Sequence, residues 1–245
     1  MERIDIVMVT WNRLDFTKQC LKFLKERTKT PYRLIVVDNN SDDGSQKWLY
    51  EEKLKGNVHH LILLERNYGI HMAKNYGMAL VRPSKYYIDT DNDLLCADLK
   101  PDWIQQLVDL MDKNKDYGAI ACRPQVLVGD GPDKFDTEEA VVAFSHVGGH
   151  LRIHRTEETK KFGWAQTWDA KRNNEDRHIA SNLKEQGLKT GYARNVRCWH
   201  MFGENWGYKD VKPEDHGHNP VWPPPEHFDT IIDKFDSKTW ETITQ

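Results

Sequence analysis

Tyr86-Tyr87-Ile88-Asp89-Thr90-Asp91-Asn92-Asp93 is an apolar, strand-like run that breaks into a dense acidic cluster. Carboxylates packed this closely at a strand's end repel one another unless a cation sits among them. Hard divalent ions such as Mg²⁺ and Mn²⁺ take oxygen ligands, commonly one or two carboxylates together with substrate phosphates. The cluster therefore marks either a metal–diphosphate site or an ordinary turn, for which Asp and Asn are equally suited. Its companions along the chain decide the matter.

Upstream, apolar runs alternate with helical patterns, the signature of βαβ units and a mostly parallel central sheet flanked by helices. Ile4–Thr10 reads as a strand and Leu14–Leu24 as an amphipathic helix. Arg33–Asp38 is a second buried strand, followed by the turn Ser41–Ser45, where Ser41 or Asp42 can cap the next helix. Val58–Leu64 reads as a third strand, His71–Leu80 as a helix and Tyr86–Thr90 as a fourth strand. Downstream, Asp102–Lys113 spaces Trp103, Leu107, Leu110 and Met111 as a helix does. Beyond Tyr117–Arg123 the period turns irregular. A loop is expected at Gly129–Pro132, one or two strands within Val141–Ile153, and a helix at Glu175–Gln186 closed by Gly187. After Phe202 the chain becomes polar and proline-rich, and Pro223-Pro224-Pro225 cannot continue helix or sheet, so the core is expected to end near there.

The 245 residues suffice for one large α/β domain or two small ones. A net charge of −3 with both signs interspersed gives no footprint for nucleic acid. Cys20, Cys96, Cys122 and Cys198 are scattered without a CxxC pair and read as reduced thiols. Met1–Asp5 shows no apolar signal region and no run is long enough to span a bilayer, so a cytoplasmic chain is expected, with docking on a membrane surface left open. Of nine tryptophans, Trp199, Trp206, Trp222 and Trp240 cluster late, where they can face a ligand or simply pack.

Three further signals fall at strand ends. Asp38 closes Leu34-Ile35-Val36-Val37, in the crevice where open α/β sheets bind ligands, and can accept a hydrogen bond from a base or ribose. A cap is the competing reading, and a carboxylate there is expected to contribute little to the core. Thr10-Trp11-Asn12-Arg13 follows the first strand and can approach a base or phosphates, or Asn12 simply starts the helix. Asn67-Tyr68-Gly69-Ile70 precedes the helix carrying Lys74 and Asn75; Gly69 permits a tight backbone and Lys74 can reach a phosphate.

In order, Val9–Arg13, the stretch Ile35–Ser45, Arg66–Gly69 running on through Ala73–Gly77, and Asp91-Asn92-Asp93 followed by Leu94-Leu95 and Pro101-Asp102-Trp103 resemble the family 2 glycosyltransferases of the GT-A fold. Asn174-Glu175-Asp176, Gly187, Gly191-Tyr192 and His200 resemble their acceptor half. The match runs over roughly residues 3–202, and its ordered set is more specific than any member. Two departures stand out. Asp89 offers Asp89/Asp91 as a competing register for the DxD motif, and Val147-Gly148-Gly149-His150 lacks the usual aromatic-rich acceptor motif.

The resemblance implies a transferase that moves a sugar from a nucleotide-sugar donor, UDP-linked by preference, to an acceptor of open class. Its expected nucleotide-contacting set is Thr10, Trp11, Asn12, Arg13, Asp38, Asn67, Gly69, Lys74, Asp91 and Asn92. Asp91 and Asp93 would hold Mn²⁺ or Mg²⁺ against the departing diphosphate, with His200 completing the metal shell or touching the diphosphate. Asp176 is the expected general base, with Glu175 as the alternative; adjacent helical residues point apart, so one faces the acceptor. Inversion at C1 is expected from the resemblance, together with a candidate base and no assigned enzymic nucleophile. The expected layout is one GT-A-like domain, 1–205, with a nucleotide half (1–95), an acceptor half (96–205) and a C-terminal extension (206–245).

A sugar nucleotidyltransferase is the first rival, but Thr10–Arg13 lacks the Gly-rich basic loop it needs; a non-catalytic nucleotide- or glycan-binding module is the second. His146, His150 and His154 repeat at helical spacing, but Gly148 and Gly149 argue against a helix and hence against a zinc face. His216 and His218 beside Asp215 read as a solvated loop. Arg152 and Arg155 read as contacts to phosphate or an anionic acceptor, or as surface charge.

Overall fold

The computed structural model describes residues 3–124, 135–164 and 175–201. The first half runs β1 (Ile4–Thr10), α1 (Leu14–Arg27), β2 (Tyr32–Asp38), α2 (Ser45–Leu54), β3 (His60–Leu63), α3 (Gly69–Ala79) and β4 (Tyr86–Asp91). The second half adds β5 (Leu94–Cys96), α4 (Trp103–Lys113), β6 (Tyr117–Pro124), β7 (Val141–Phe144), β8 (Arg152–Arg155), α5 (Thr156–Lys160), α6 (Glu175–Glu185) and β9 (Lys189–His200). The nine strands join one sheet in the order β3-β2-β1-β4-β8-β6-β9-β5, with β7 paired to β9.

β1 lies between β2 and β4, parallel to both, and β3 is parallel to β2. Every residue of β1 is buried, as expected for a parallel strand covered on both faces. Ile6 and Met8 pack with Phe16, Cys20 and Phe23 of α1 in the main core. Val9 on the opposite face meets Ala73 of α3. Gly77 lets α3 settle on the sheet: a Cβ there would stand 2.3 Å from Val7 Cγ1.

The chain moves outward from β1 through β2 to β3, then returns to place β4 on the other side of β1. The strand order reverses between β1 and β4, and a crevice opens at such a switch point at the strands' carboxyl ends. Thr10 pairs with Asp38 and Val9 with Asp91, so the three strand ends lie side by side. The second half is mixed: β8 runs antiparallel to β4 and β6, β6 parallel to β9, and β9 antiparallel to β5 and β7. The α/β single-domain expectation holds, with its parallel pairing concentrated in β3-β2-β1-β4.

Three elements had no sequence reading: β5 is three residues long, α5 five, and β9 is broken in register against β6 between Cys122 and Arg123. Such a strand has no clean alternation to find. The cap of α2 also differs from expectation. Gly44, at φ 94°, stands at its N-cap with no side-chain cap, while the Ser41 hydroxyl is spent on Asp38. Asp102 does cap α4, accepting from the Gln105 N–H. All four cysteines are buried free thiols. Among the described residues no helix is long and apolar enough to cross a membrane. The Gly129–Pro132 loop, the boundary at 205/206, the extension with Trp206, Trp222 and Trp240, and Asp215, His216 and His218 lie outside the described residues.

Candidate active site

The three carboxylates after Ile88 have different fates. Asp89 faces the interior, 1% exposed. Lys74 Nζ donates to its Oδ2 at 2.7 Å, Arg152 Nε to its Oδ1 at 2.9 Å and Arg152 Nη2 to its Oδ2 at 3.2 Å. His154 Nε2 lies 2.6 Å from Oδ1. Burial alone would raise the Asp89 pKa, but Arg152 and Lys74 outweigh it and hold the group well below the usual carboxylate range. Asp89 is committed to this cluster. Asp91 Oδ1 and Asp93 Oδ1 are buried oxygens without a hydrogen-bond partner. The register with unsatisfied oxygens is thus Asp91/Asp93. Burial, with repulsion from Asp93 and Glu175 and against the attraction of Lys74, pushes Asp91 up to about 6. For Asp93 the burial effect is overcome by His200 and Arg13, and its pKa falls.

The β1–α1 turn brings Arg13 across the switch point, its Nη1 donating to Asp93 Oδ2 at 2.8 Å. Asn12 and Arg13 both adopt positive φ, 56° and 67°, a conformation Asn tolerates better than Arg. The Asn12 N–H donates to Ser41 Oγ at 2.7 Å, while Trp11 is half-buried. Thr10 and Asn92 turn inward: Asn92 Nδ2 donates to Thr10 Oγ1, Thr17 Oγ1 and the Asn12 carbonyl. Those two side chains bolt the acidic turn to β1. Asn67 Oδ1 accepts from Asn39 Nδ2 and from the N–H of Gly69, whose φ of 79° opens α3. Lys74 is 1% exposed and held by Asp89, with Asp91 Oδ1 at 3.6 Å.

Asp38 departs from one expectation. It is fully buried, accepting from the Ser41 N–H at 2.8 Å, Ser41 Oγ at 2.6 Å and Gln46 Nε2 at 3.0 Å. A carboxylate that organises a buried turn does contribute to stability. Asp38→Ala is expected to lower the unfolding free energy by about 1–3 kcal/mol by stranding these donors. Urea denaturation measures this, and an unchanged midpoint and slope would show that the turn stands without the carboxylate. Nucleotide affinity of this variant must then be compared where both proteins are fully folded.

The second half brings the remaining candidates in. β8 pairs with β4 so that Arg152 stands opposite Asp89 and His154 opposite Tyr87. Arg152 is fully buried, neither surface charge nor a solvent-side anion contact, and its Nη1 donates to Asp176 Oδ1 at 2.8 Å. Burial, reinforced by Glu175 and opposed by Arg152, raises the Asp176 pKa. Glu175 precedes it in the first turn of α6 and acts on both Lys74 and Asp91 electrostatically. β5 pairs with β9, setting His200 opposite Leu94, and His200 Nε2 lies 3.3 Å from Asp93 Oδ2. Burial opposes protonation of His200, but Asp93 wins and raises its pKa. Arg155 lies elsewhere, donating to the carbonyls of Tyr117 and Met111. Trp199 packs against the core.

Residues 5–178 match the family model described as glycosyl transferase family 2. The chain belongs to that family. Uncharacterized protein L137 of Acanthamoeba polyphaga mimivirus is 24% identical over 241 residues, covering 82% of this chain and 29% of that protein. The chain thus spans less than a third of that relative's length. Among solved structures, a mannosyltransferase from Pyrobaculum calidifontis, in complex with GDP-Man and Mn²⁺, superposes with TM-score 0.65 at 20% identity, over 84% of this chain and 58% of that one. GalNAc-T7 with UDP, GalNAc and Mn²⁺ gives TM-score 0.67 at 16% identity, over 82% and 44%. At these identities the likeness establishes the GT-A fold.

Within this family 2 domain, the residues suit a divalent cation. Two neighbouring carboxylates each bury an oxygen that no hydrogen bond takes up, and oxygen donors match hard cations. No group of three His, Cys, Asp or Glu that could hold a metal ion occurs among the described residues, so the expected set of Asp91, Asp93 and His200 does not form a three-ligand shell here. Sequence reasoning missed several side chains around the pair. Gly149 approaches so closely that a Cβ there would lie 2.9 Å from Asp91 Oδ2. His150 packs edge-on to His200 at 5.4 Å, and its Nδ1 lies 3.4 Å from the Tyr192 hydroxyl. Burial drives the His150 pKa down to about 3. The histidines at 146, 150 and 154 form no common face; His154 belongs to Asp89. The only sequence hint was the paired glycine at 148 and 149, which marks close backbone approach as readily as a loop.

Proposed function

We propose that this family 2 domain transfers a sugar from a nucleoside-diphosphate sugar to an acceptor hydroxyl, in one displacement that inverts C1. The observation that carries the reading is the meeting of Asp91 and Asp93, each with an unsatisfied buried oxygen, with Asp176 joined to the same cluster through Arg152. Asp91 and Asp93 would hold Mn²⁺ or Mg²⁺, which would supply Lewis-acid neutralisation of the departing diphosphate, and His200 would join them only as a neutral imidazole released from Asp93. Arg13 and His200 keep Asp93 ionised, the state such a site requires. Asp176 takes the proton of the attacking hydroxyl, its basicity raised by burial. In this reading residues 1–95 bind donor, 96–205 bind acceptor, and 206–245 extend the domain.

Both related structures named above carry a nucleotide or nucleotide sugar with Mn²⁺, one GDP-Man and one UDP. UDP-sugars are the first donors to test, with GDP-sugars beside them. Thermal denaturation is expected to shift upward with one nucleotide sugar plus Mn²⁺, and less with either alone. Ligand at about 100 times its Kd adds about 2.7 kcal/mol to stability, a shift of several degrees. A flat response across UDP- and GDP-sugars with and without Mn²⁺ would sink the proposal.

A further inference from the structure

Arg152 is fully buried, yet it joins two carboxylates from distant parts of the chain. Nε and Nη2 grip Asp89 at 2.9 and 3.2 Å, while Nη1 reaches Asp176 at 2.8 Å and the Val147 carbonyl at 2.6 Å. Lys74 mirrors it, 2.7 Å from Asp89 and 3.6 Å from Asp91. Asp89 is therefore a shared anchor for two buried cations, one leading to the Asp91–Asp93 pair and the other to Asp176. Trp164 supports both cations from one side, its ring centre 4.6 Å from Lys74 Nζ and 5.2 Å from Arg152 Cζ.

Apolar packing does not by itself aim the Asp176 carboxylate. The buried apolar side chains of α6 are Ile179, Ala180 and Leu183, one or two turns further on. Such contacts are non-directional: they hold a helix against the sheet without fixing how its first turn presents a side chain. A charge-assisted hydrogen bond from a planar guanidinium is directional, and its fork can grip one carboxylate while a third nitrogen serves another. We propose that Arg152 is a positioning residue, bridging Asp89 to Asp176 so that the base stands at a fixed place relative to the Asp91–Asp93 pair. This rests on the transfer reading above.

The test is a double-mutant cycle on the full chain, with release of nucleoside diphosphate from the UDP- or GDP-sugar that wild type turns over. Arg152→Met is expected to lower kcat by on the order of 10²-fold, the cost of a misplaced group of about 1 Å. The donor-induced thermal shift and the donor KM should stay near wild type. Asp176→Asn should lower kcat more, and the double variant should be no slower than Asp176→Asn alone, since Arg152 acts through that carboxylate. Arg152→Lys keeps the buried charge without the fork; it should also lose kcat, and it carries the cycle if Arg152→Met does not fold. Losses that multiply in the double variant, or an Arg152→Lys protein with wild-type kcat, overturn the proposal while leaving the transfer reading intact. A wild type that folds but turns over none of the donors overturns the transfer reading itself, and this one with it.

Discussion

Asp91→Asn and Asp93→Asn are each expected to remove nearly all transfer, Asp91→Asn with the fold kept and Asp93→Asn with a loss of stability because it removes the charge that pairs with Arg13. Lewis-acid stabilisation of a departing diphosphate is worth several kcal/mol, and each 1.36 kcal/mol is tenfold, so a loss of roughly 10²–10⁴-fold follows. Nucleotide binding should lose its dependence on Mn²⁺, read by calorimetry with and without the ion. The fold should tolerate Asp91→Asn because ionised Asp91 is a burden on the metal-free protein. Its pKa rises from 3.8 to about 6 on folding, chiefly through burial. Between those values the unfolded chain has released its proton and the folded one has not, so the contribution of Asp91 itself to metal-free stability falls as pH rises across that window, against the opposite contribution of the buried neutral His150 and His154. Asp91→Asn should remove that contribution, so the variant gains stability over wild type as pH rises from about 4 to about 6. Asp89→Asn should behave in the opposite way, because it strands Lys74 and Arg152, two buried cations that Asp89 neutralises. Breaking a buried pair by removing one partner costs about 3–5 kcal/mol. Full activity of chelator-treated wild type would remove the metal from the mechanism. Equal stability losses at Asp89 and Asp91 would erase the distinction drawn between them.

Asp176→Asn is expected to slow turnover by about 10²–10⁴-fold, the usual worth of a general base, with donor and Mn²⁺ binding preserved. Asparagine keeps the shape and can still accept from Arg152, but it cannot take a proton. Glu175→Gln should cost less, since Asp176 is the member of the pair bonded to Arg152 within the buried cluster. The acid limb of the kcat–pH profile should lie above the ordinary aspartate range, because burial raises the Asp176 pKa and the basic form is the active one. Anomeric analysis of the product belongs beside these rates. Retention at C1, or a severe loss confined to Glu175→Gln, contradicts Asp176 as the base of a single displacement.

The strands β1, β2 and β4 and the helices between them were legible in the chain because parallel strands covered on both faces must be written as continuous apolar runs. Chain direction then puts whatever follows such a run at the carboxyl edge of the sheet. Thr10–Arg13, Asp38 and Asp91–Asp93 therefore fall together at that edge on the sequence alone. The partners of those residues were not legible. Whether Asp38 faces a ligand or organises its own turn depends on Ser41 and Gln46 folding back onto it. Asp89, Asp91 and Asp93 look equivalent in sequence, and only the pairing of β8 with β4 sets Arg152 against Asp89 and so commits it to the interior. The ladder between β5 and β9 likewise brings His200 to Asp93. Hydrophobic periodicity is a local property that each segment carries by itself. The fate of a buried charge is decided by the opposite charges that distant strands bring within hydrogen-bonding distance, and that register exists only once the sheet has closed.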